Sequence, residues 1–266
     1  MLDNIIIGQY LPGQSVLHRM DPRAKLSAIF LYIIVVFLAN NWLTYAIVGV
    51  FALFTIALSR VSLRYIYKGM KPVILIVLFT FILQVLLTRE GAVLYDLRWF
   101  KLYDGGLRQG IFISLRLLYL VMVTSLLTLT TKPLDITDGL ESLLGPLKKI
   151  KLPVHEFALM MSIALRFIPT LLQETEKIMK AQMARGAEFT TGPILQRLKA
   201  FVPLLIPLFI SSFKRAEDLA LAMEARGYRG GEGRTRLRVL KWTGKDTIAL
   251  FVLVVLAVGL YVLRTH

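Results

Sequence analysis

Apolar residues in this chain gather in five runs that are nearly free of charge: residues 26–39, 42–58, 72–87, 111–130 and 247–263. A helix crossing the hydrocarbon needs roughly 17–25 mostly apolar residues. The runs sit at or slightly below that length, so their ends must draw on interfacial residues. A soluble helical protein does not repeat such runs five times. The pattern predicts an all-α integral membrane protein with about five transmembrane helices. Between the third and fourth runs the period changes. Val93, Tyr95, Leu97 and Trp99 alternate with other residues, which is strand spacing and predicts a short interfacial hairpin. Tyr95, Trp99 and Tyr103 would then lie at headgroup depth. Asp104-Gly105-Gly106 ends that pattern and starts the fourth helix.

The section 132–245 differs in kind, because it mixes apolar and charged residues at helical spacing. It divides the chain into an N-terminal membrane section with four transmembrane helices (1–131), a section of long kinked amphipathic helices expected on the cytoplasmic side (132–245) and a last membrane helix (246–266). Asp135-Ile136-Thr137-Asp138 offers caps for a short helix ending near Gly145-Pro146. Pro153 starts a long helix. Its Leu165, Ile168, Leu171, Leu172, Thr175, Ile178, Met179 and Met183 form a one-sided stripe, with Glu174, Glu176, Lys177 and Lys180 opposite. Pro169 should kink it, since proline lacks an N–H and clashes with the preceding turn. Gly192-Pro193 opens a second long helix, which Pro203 and Pro207 should bend. Its first half, 200–213, is apolar around most of its circumference. That half reads as buried against other helices or lying at the membrane boundary. A sixth crossing there ranks second, because it would break the alternation of charge between loops.

That alternation sets the orientation. Net charge is +15, which in a soluble protein would suggest nucleic acid. Here Lys and Arg gather in alternate connections, as the positive-inside rule requires, and no nucleic-acid partner is implied. Arg19, Arg23 and Lys25 precede the first run. Arg60, Arg64, Lys68 and Lys71 fall between the second and third, and the stretch after the fourth is basic up to Lys245. The N-terminus is expected in the cytoplasm and the C-terminus outside, in a multi-pass membrane protein. Arg234, Arg236, Arg238 and Lys241 would lie along the headgroups. The first twenty residues lack the apolar core and small-residue cleavage site of a signal peptide. There are no cysteines, which removes disulfides and thiolate chemistry.

Both long amphipathic segments end alike, in Ala184-Arg185-Gly186 and Ala225-Arg226-Gly227. Glycine suits a helix C′ position, and a cation in the last turn complements the helix dipole. One such end is good capping. Two, on helices of similar character, make a pair of guanidinium anchors, each suited to forking onto carboxylates of a partner. The repetition points to docking of two similar partner subunits.

At these residues the sequence resembles the transmembrane coupling subunit, or T component, of energy-coupling factor transporters of the ABC class. The resemblance rests on both Ala-Arg-Gly ends and on the text ahead of them. Arg166-Phe167-Ile168-Pro169 precedes the first, and Glu217-Asp218 and Ala222-Met223-Glu224 precede the second. Near the N-terminus, Asp21-Pro22-Arg23-Ala24-Lys25 is similar to the family's entry to its first membrane helix. The resemblance implies a subunit of a bacterial or archaeal cell membrane. It implies two ABC ATPase subunits docked on the two arginine-bearing ends, with ATP and magnesium held by them. It further implies a substrate-binding membrane subunit, the S component, against an apolar face, and uptake of a vitamin or metal ion. Met160, Met161, Met179, Met183 and Met223 offer adaptable apolar surface for that partner, or a plain core.

Other chemistry is poorly represented. His18, His155 and His266 are far apart, and no Gly-x-x-x-x-Gly-Lys phosphate loop is present. A lipid-modifying enzyme of the membrane would need clustered acids or histidines, for which Asp135 and Asp138 are the nearest candidates and look like caps. An ordinary ABC permease would want polar residues inside several spans, and these spans are poor in them. Asp21-Pro22-Arg23 reads first as a helix start, with Asp as cap and Pro in the first turn. Arg116 lies inside the fourth run, where pairing or snorkelling is favoured over substrate contact.

Overall fold

A computed structural model describes residues 10–97, 100–187, 189, 193–230 and 239–264. Trp99, Gly192 and the arginines 234, 236 and 238 lie outside these residues. The described chain is helical apart from one hairpin, and it packs as two compact units. The first holds residues 10–143 and 240–264, the second residues 144–230 and 239.

In the first unit a single turn, α1 (Val16–Arg19), precedes α2 (Pro22–Leu38), α3 (Trp42–Ser59), α4 (Leu63–Leu87), α5 (Asp104–Thr130), α6 (Pro133–Leu143) and α9 (Gly244–Val262). The start signals are local. Asp21 accepts from the Arg23 N–H and Pro22 occupies the first turn of α2. Asn41 and Thr44 form a reciprocal capping box at α3, and Thr243 and Asp246 do the same at α9. The core joins Tyr32, Val35 and Val36 of α2 to Tyr45, Val48 and Ala52 of α3, Met122 and Leu126 of α5, and Leu253 and Leu260 of α9. Gly49 makes room for Tyr119, whose hydroxyl lies 2.5 Å from where a Cβ would stand.

The five charge-poor runs all fall on helices, but the boundaries move. Arg64, Lys68 and Lys71 were expected in a connection and instead occupy the first turns of α4. The turn before α4 is short because Arg60 adopts the left-handed conformation at the end of α3, with φ of 51°. Among the described residues, five helices are long and apolar enough to cross a membrane: α3, α4, α5, α9 and α7 (Val154–Ala184) of the second unit. α2, with 17 residues, stands at the lower limit of spanning length. The expected hairpin is present as β1 (Val93–Leu97) paired antiparallel with β2 (Phe100–Tyr103), interrupted by a bulge between Val93 and Tyr95.

α6 was expected to be capped by Asp135–Asp138. It starts two residues earlier, at Pro133, and Asp135 falls in its first turn. The helix packs with the membrane unit, against α2. Gly139 permits this, since a Cβ there would stand 3.2 Å from the Pro22 side chain and 3.3 Å from its main chain.

The second unit is a 3-10 turn (Gly145–Ile150), α7 (Val154–Ala184) and α8 (Ile194–Ala225). The sequence stripe of α7 is its half-buried face from Leu165 to Met179, while Glu176, Lys177 and Lys180 are exposed. On α8, Ile206, Phe209, Ile210 and Phe213 are exposed at helical spacing, so an apolar face stands uncovered within this unit. Met160, Met161 and Met183 are also exposed, so they lie outside the core of this unit.

Candidate functional site: two arginine-capped helix ends

α7 and α8 end in the same hydrogen-bonded motif. At the end of α7, Arg185 is the C-cap, Gly186 donates to the Met183 carbonyl at 3.0 Å and Ala187 donates to Gln182 at 3.0 Å. At the end of α8, Arg226 is the C-cap, Gly227 donates to Glu224 at 2.8 Å and Tyr228 donates to Met223 at 3.0 Å. Each is a Schellman motif, in which two carbonyls of the last turn are satisfied by the chain turning back. The reversal needs a left-handed residue, and the φ angles are 87° at Gly186 and 71° at Gly227. A Cβ at either glycine would meet nothing within 4 Å. Glycine is therefore required by backbone conformation and not by space. The two C-cap arginines have nearly equal dihedrals, φ −92° and ψ 7° at Arg185, φ −89° and ψ 7° at Arg226. Both are exposed, and among the described residues neither guanidinium has a hydrogen bond or ion pair.

The helices that carry these ends are fastened at two levels. Arg215 Nη2 of α8 donates to Glu174 Oε2 of α7. Gln182 Nε2 of α7 donates to the Pro203 carbonyl of α8 at 3.3 Å. Between these links the numbering falls along α7 as it rises along α8, so the two helices are antiparallel. Arg185 lies just past Gln182, at the Pro203 end of the pair. Arg226 lies 23 residues beyond Pro203, which is roughly 35 Å of helix rise. The two arginines therefore stand at opposite ends of one hairpin.

The prolines expected to bend these helices lie inside them, Pro169 in α7 and Pro203 and Pro207 in α8, and both helices continue through them. Pro207 has no N–H to give to the carbonyl four residues back, which is that of Pro203. Gln182 fills that vacancy.

Asp21, Pro22 and Arg23 belong to the other unit, and what they build there is a polar latch. The Asp21 N–H donates to Asp246 Oδ1 at 3.0 Å. Arg23 pairs with Asp21 at 3.0 Å, donates to the Leu240 carbonyl at 3.3 Å and to Ser142 at 3.4 Å, and lies 5.9 Å from the Trp242 ring centre. Lys25 Nζ donates to the Thr130 carbonyl and to Thr131 Oγ1, each at 3.0 Å. The start of α2 is thereby tied to the end of α5, to α6 and to the start of α9. Burial alone would raise the Asp21 carboxyl, but the hydrogen bonds and charge of Arg23 outweigh it and hold the group below the usual carboxylate range. The helix-start reading of this segment is correct as far as it went; Asp246 was the missed partner. Its signal was present as Thr243-Gly244-Lys245-Asp246, a capping-box spacing.

Arg116 resolves as a pairing residue. Its Nη2 donates to the Ala39 carbonyl at 3.3 Å, at the C-cap of α2, and its guanidinium lies 5.0 Å from the Phe37 ring centre. A cation there complements the carboxyl end of the helix.

These features define a polytopic helical membrane protein that carries a separate, twice-capped helical hairpin. Residues 13–237 match the sequence family CbiQ, described as cobalt transport protein. The chain is 62% identical over 264 residues to the energy-coupling factor transporter transmembrane protein EcfT of Bacillus subtilis (strain 168), covering 99% of this chain and 100% of the relative. It is 59% identical to the protein of the same description in Brevibacillus brevis, over 97% of both chains. It is 53% identical to that of Listeria innocua serovar 6a, over the full length of both. The chain belongs to this CbiQ/EcfT family of transporter transmembrane proteins.

Proposed function

We propose that this chain is the non-catalytic coupling subunit of an energy-coupling factor importer, and that Arg185 and Arg226 each dock one ABC ATPase subunit. The observation that carries the reading is the pair of matched Schellman ends, each presenting an exposed C-cap arginine, at opposite ends of an antiparallel hairpin. Separation by tens of ångströms suits two partners better than one. A guanidinium at a rigid helix end is suited to a bidentate bond with a carboxylate. Ala184 and Ala225 keep the last turn slim beside it.

The hairpin is read as lying on the cytoplasmic side. α7 satisfies the length and hydropathy of a span, but in an antiparallel pair a crossing α7 would set Arg185 and Arg226 on opposite faces of the bilayer. Its second half also carries Glu174, Glu176, Lys177 and Lys180, which suit a surface helix. Closure of the two ATPases on ATP would move the hairpin ends, and the helices would pass that motion on. The exposed stripe Ile206, Phe209, Ile210 and Phe213 is the face offered to the substrate-binding membrane subunit. ATP and magnesium belong to the ATPase partners, and the imported vitamin or metal ion to the S component.

Co-expression with two ABC ATPase subunits tests this directly. Changing Arg185 and Arg226 together to Glu should abolish their co-purification while the membrane subunit extracts as a monodisperse protein. Undiminished co-purification would sink the docking proposal.

A further inference from the structure

The membrane unit contains an apolar cavity of about 360 Å³ between α1, α2, α3, α5 and α9. Ile29, Phe54, Leu58, Leu127, Val252 and Leu253 form much of its wall. Three of its other lining residues do not suit a mere gap between helices. Tyr32 is 1% exposed, and among the described residues its hydroxyl has no hydrogen-bond partner. A buried hydroxyl left unpaired is unfavourable, and an acceptor reaching it through the cavity would relieve that cost. Lys25 and Lys245 line the cavity at the end where α2 and α9 begin, and no carboxylate lines it.

Three carboxylates act on Lys25, those of Asp135, Asp246 and Asp21, none of which lines the cavity. Asp246 is fully buried; its Oδ1 accepts from the Asp21 N–H and its Oδ2 from the Thr243 N–H and hydroxyl. Asp21 is paired with Arg23. Lys25 spends two of its three N–H bonds on Thr130 and Thr131, which leaves one. Lys245 is exposed at the rim. Trp242, three residues earlier in the chain, is exposed, with its indole N–H on Thr247 at 2.9 Å. Tryptophan in such a position marks headgroup depth. From Lys25 to Tyr32, and from Lys245 to Val252, the cavity runs inward by roughly 10 Å of helix rise. The Tyr32 ring stacks on Phe51 of α3 at 6.0 Å, at the inner end of that run.

The geometry points to a built site for one anionic phospholipid from the leaflet that meets the start of α2. An acyl chain fills the apolar channel, the phosphate faces Lys245 and the spare Lys25 N–H, and an ester carbonyl accepts from the Tyr32 hydroxyl. A zwitterionic lipid brings its own cation to the same rim and gains less.

Native mass spectrometry of the delipidated full chain in detergent, titrated with dioleoyl phosphatidylglycerol or dioleoyl phosphatidylcholine, tests this. One phosphatidylglycerol should be retained in preference to phosphatidylcholine. Lys245→Gln, at an exposed position, should weaken phosphatidylglycerol about fivefold, as expected for one lysine facing an anionic headgroup, and leave phosphatidylcholine unchanged. Ala249→Phe, which fills the cavity, should remove the retained lipid. Tyr32→Phe should weaken retention and raise the thermal stability of the lipid-free chain, because it deletes the unpaired hydroxyl. Equal retention of both lipids by the parent chain overturns the proposal, and so does retention of phosphatidylglycerol unaltered by Lys245→Gln or Ala249→Phe.

Discussion

The side-chain amide of Gln182 on α7 donates to the main-chain carbonyl of Pro203 on α8, at 3.3 Å, and that carbonyl is the one Pro207 leaves without a helical donor. A proline break in one helix is thus closed by its neighbour. Gln182 has a second part in the architecture, because its own carbonyl accepts the Ala187 N–H in the cap that holds Arg185. The break in α8 and the arginine-bearing end of α7 are joined through one residue.

A double-mutant cycle measures that bond. Gln182→Ala should cost about 0.5–1.5 kcal/mol, the usual net worth of one hydrogen bond. Pro207→Ala restores an N–H at the break, and in that background Gln182→Ala should cost close to nothing. Hydrogen exchange along α8 and thermal unfolding of the purified subunit read the coupling. Equal costs in both backgrounds would show that Gln182 acts by something other than this carbonyl.

At the two caps, Gly186→Ala and Gly227→Ala should each cost about 1–2 kcal/mol through left-handed backbone strain alone. No clash accompanies either change, because the space is open. Asn, which tolerates the left-handed region, should be milder than Ala. Amide exchange at Ala187 and Tyr228 should rise in the Ala variants, and ATPase-subunit co-purification should fall with it. Unchanged exchange at both amides would remove the cap from the account.

Acid should release the latch of the membrane unit. The folded Asp21 carboxyl lies below its unfolded value of about 3.9, so its stabilising effect is complete above that value. The effect is lost as pH falls through the lower folded value. Between pH 5 and 8 the contribution of Asp21 should be full and constant, adding no pH dependence to the melting of the parent chain. Asp21→Asn should lower the melting temperature at neutral pH and flatten the decline below pH 4. A variant that still follows the parent chain into acid would place the titration elsewhere.

Orientation is open to a direct test. A tag after His266 should be reached by antibody from outside intact cells, as an odd number of crossings from a cytoplasmic N-terminus demands. Labelling only after permeabilisation would require an even number, with α2 and α7 either both in the membrane or both out of it, or an inverted chain.

What could be read along the chain was whatever depends on near neighbours. Helical spacing and apolar length located the spans, alternation located the hairpin at Val93–Leu97, and glycine after arginine located both caps. The starts were legible too, from Asp21-Pro22 and, in retrospect, from Thr243 and Asp246. Near neighbours decide these features because capping bonds and side-chain periodicity close within a few residues. Only the tertiary structure decided which distant groups meet. That the Pro203 vacancy is filled by Gln182, that Arg116 reaches Ala39, and that Asp246 receives the Asp21 N–H are each set by packing across many residues. The same holds for the arginines. Sequence supplied two identical helix ends, whereas the antiparallel fastening of α7 to α8 set them roughly 35 Å apart along the hairpin. A local motif cannot specify a distance that two helices fix by how they lie against each other.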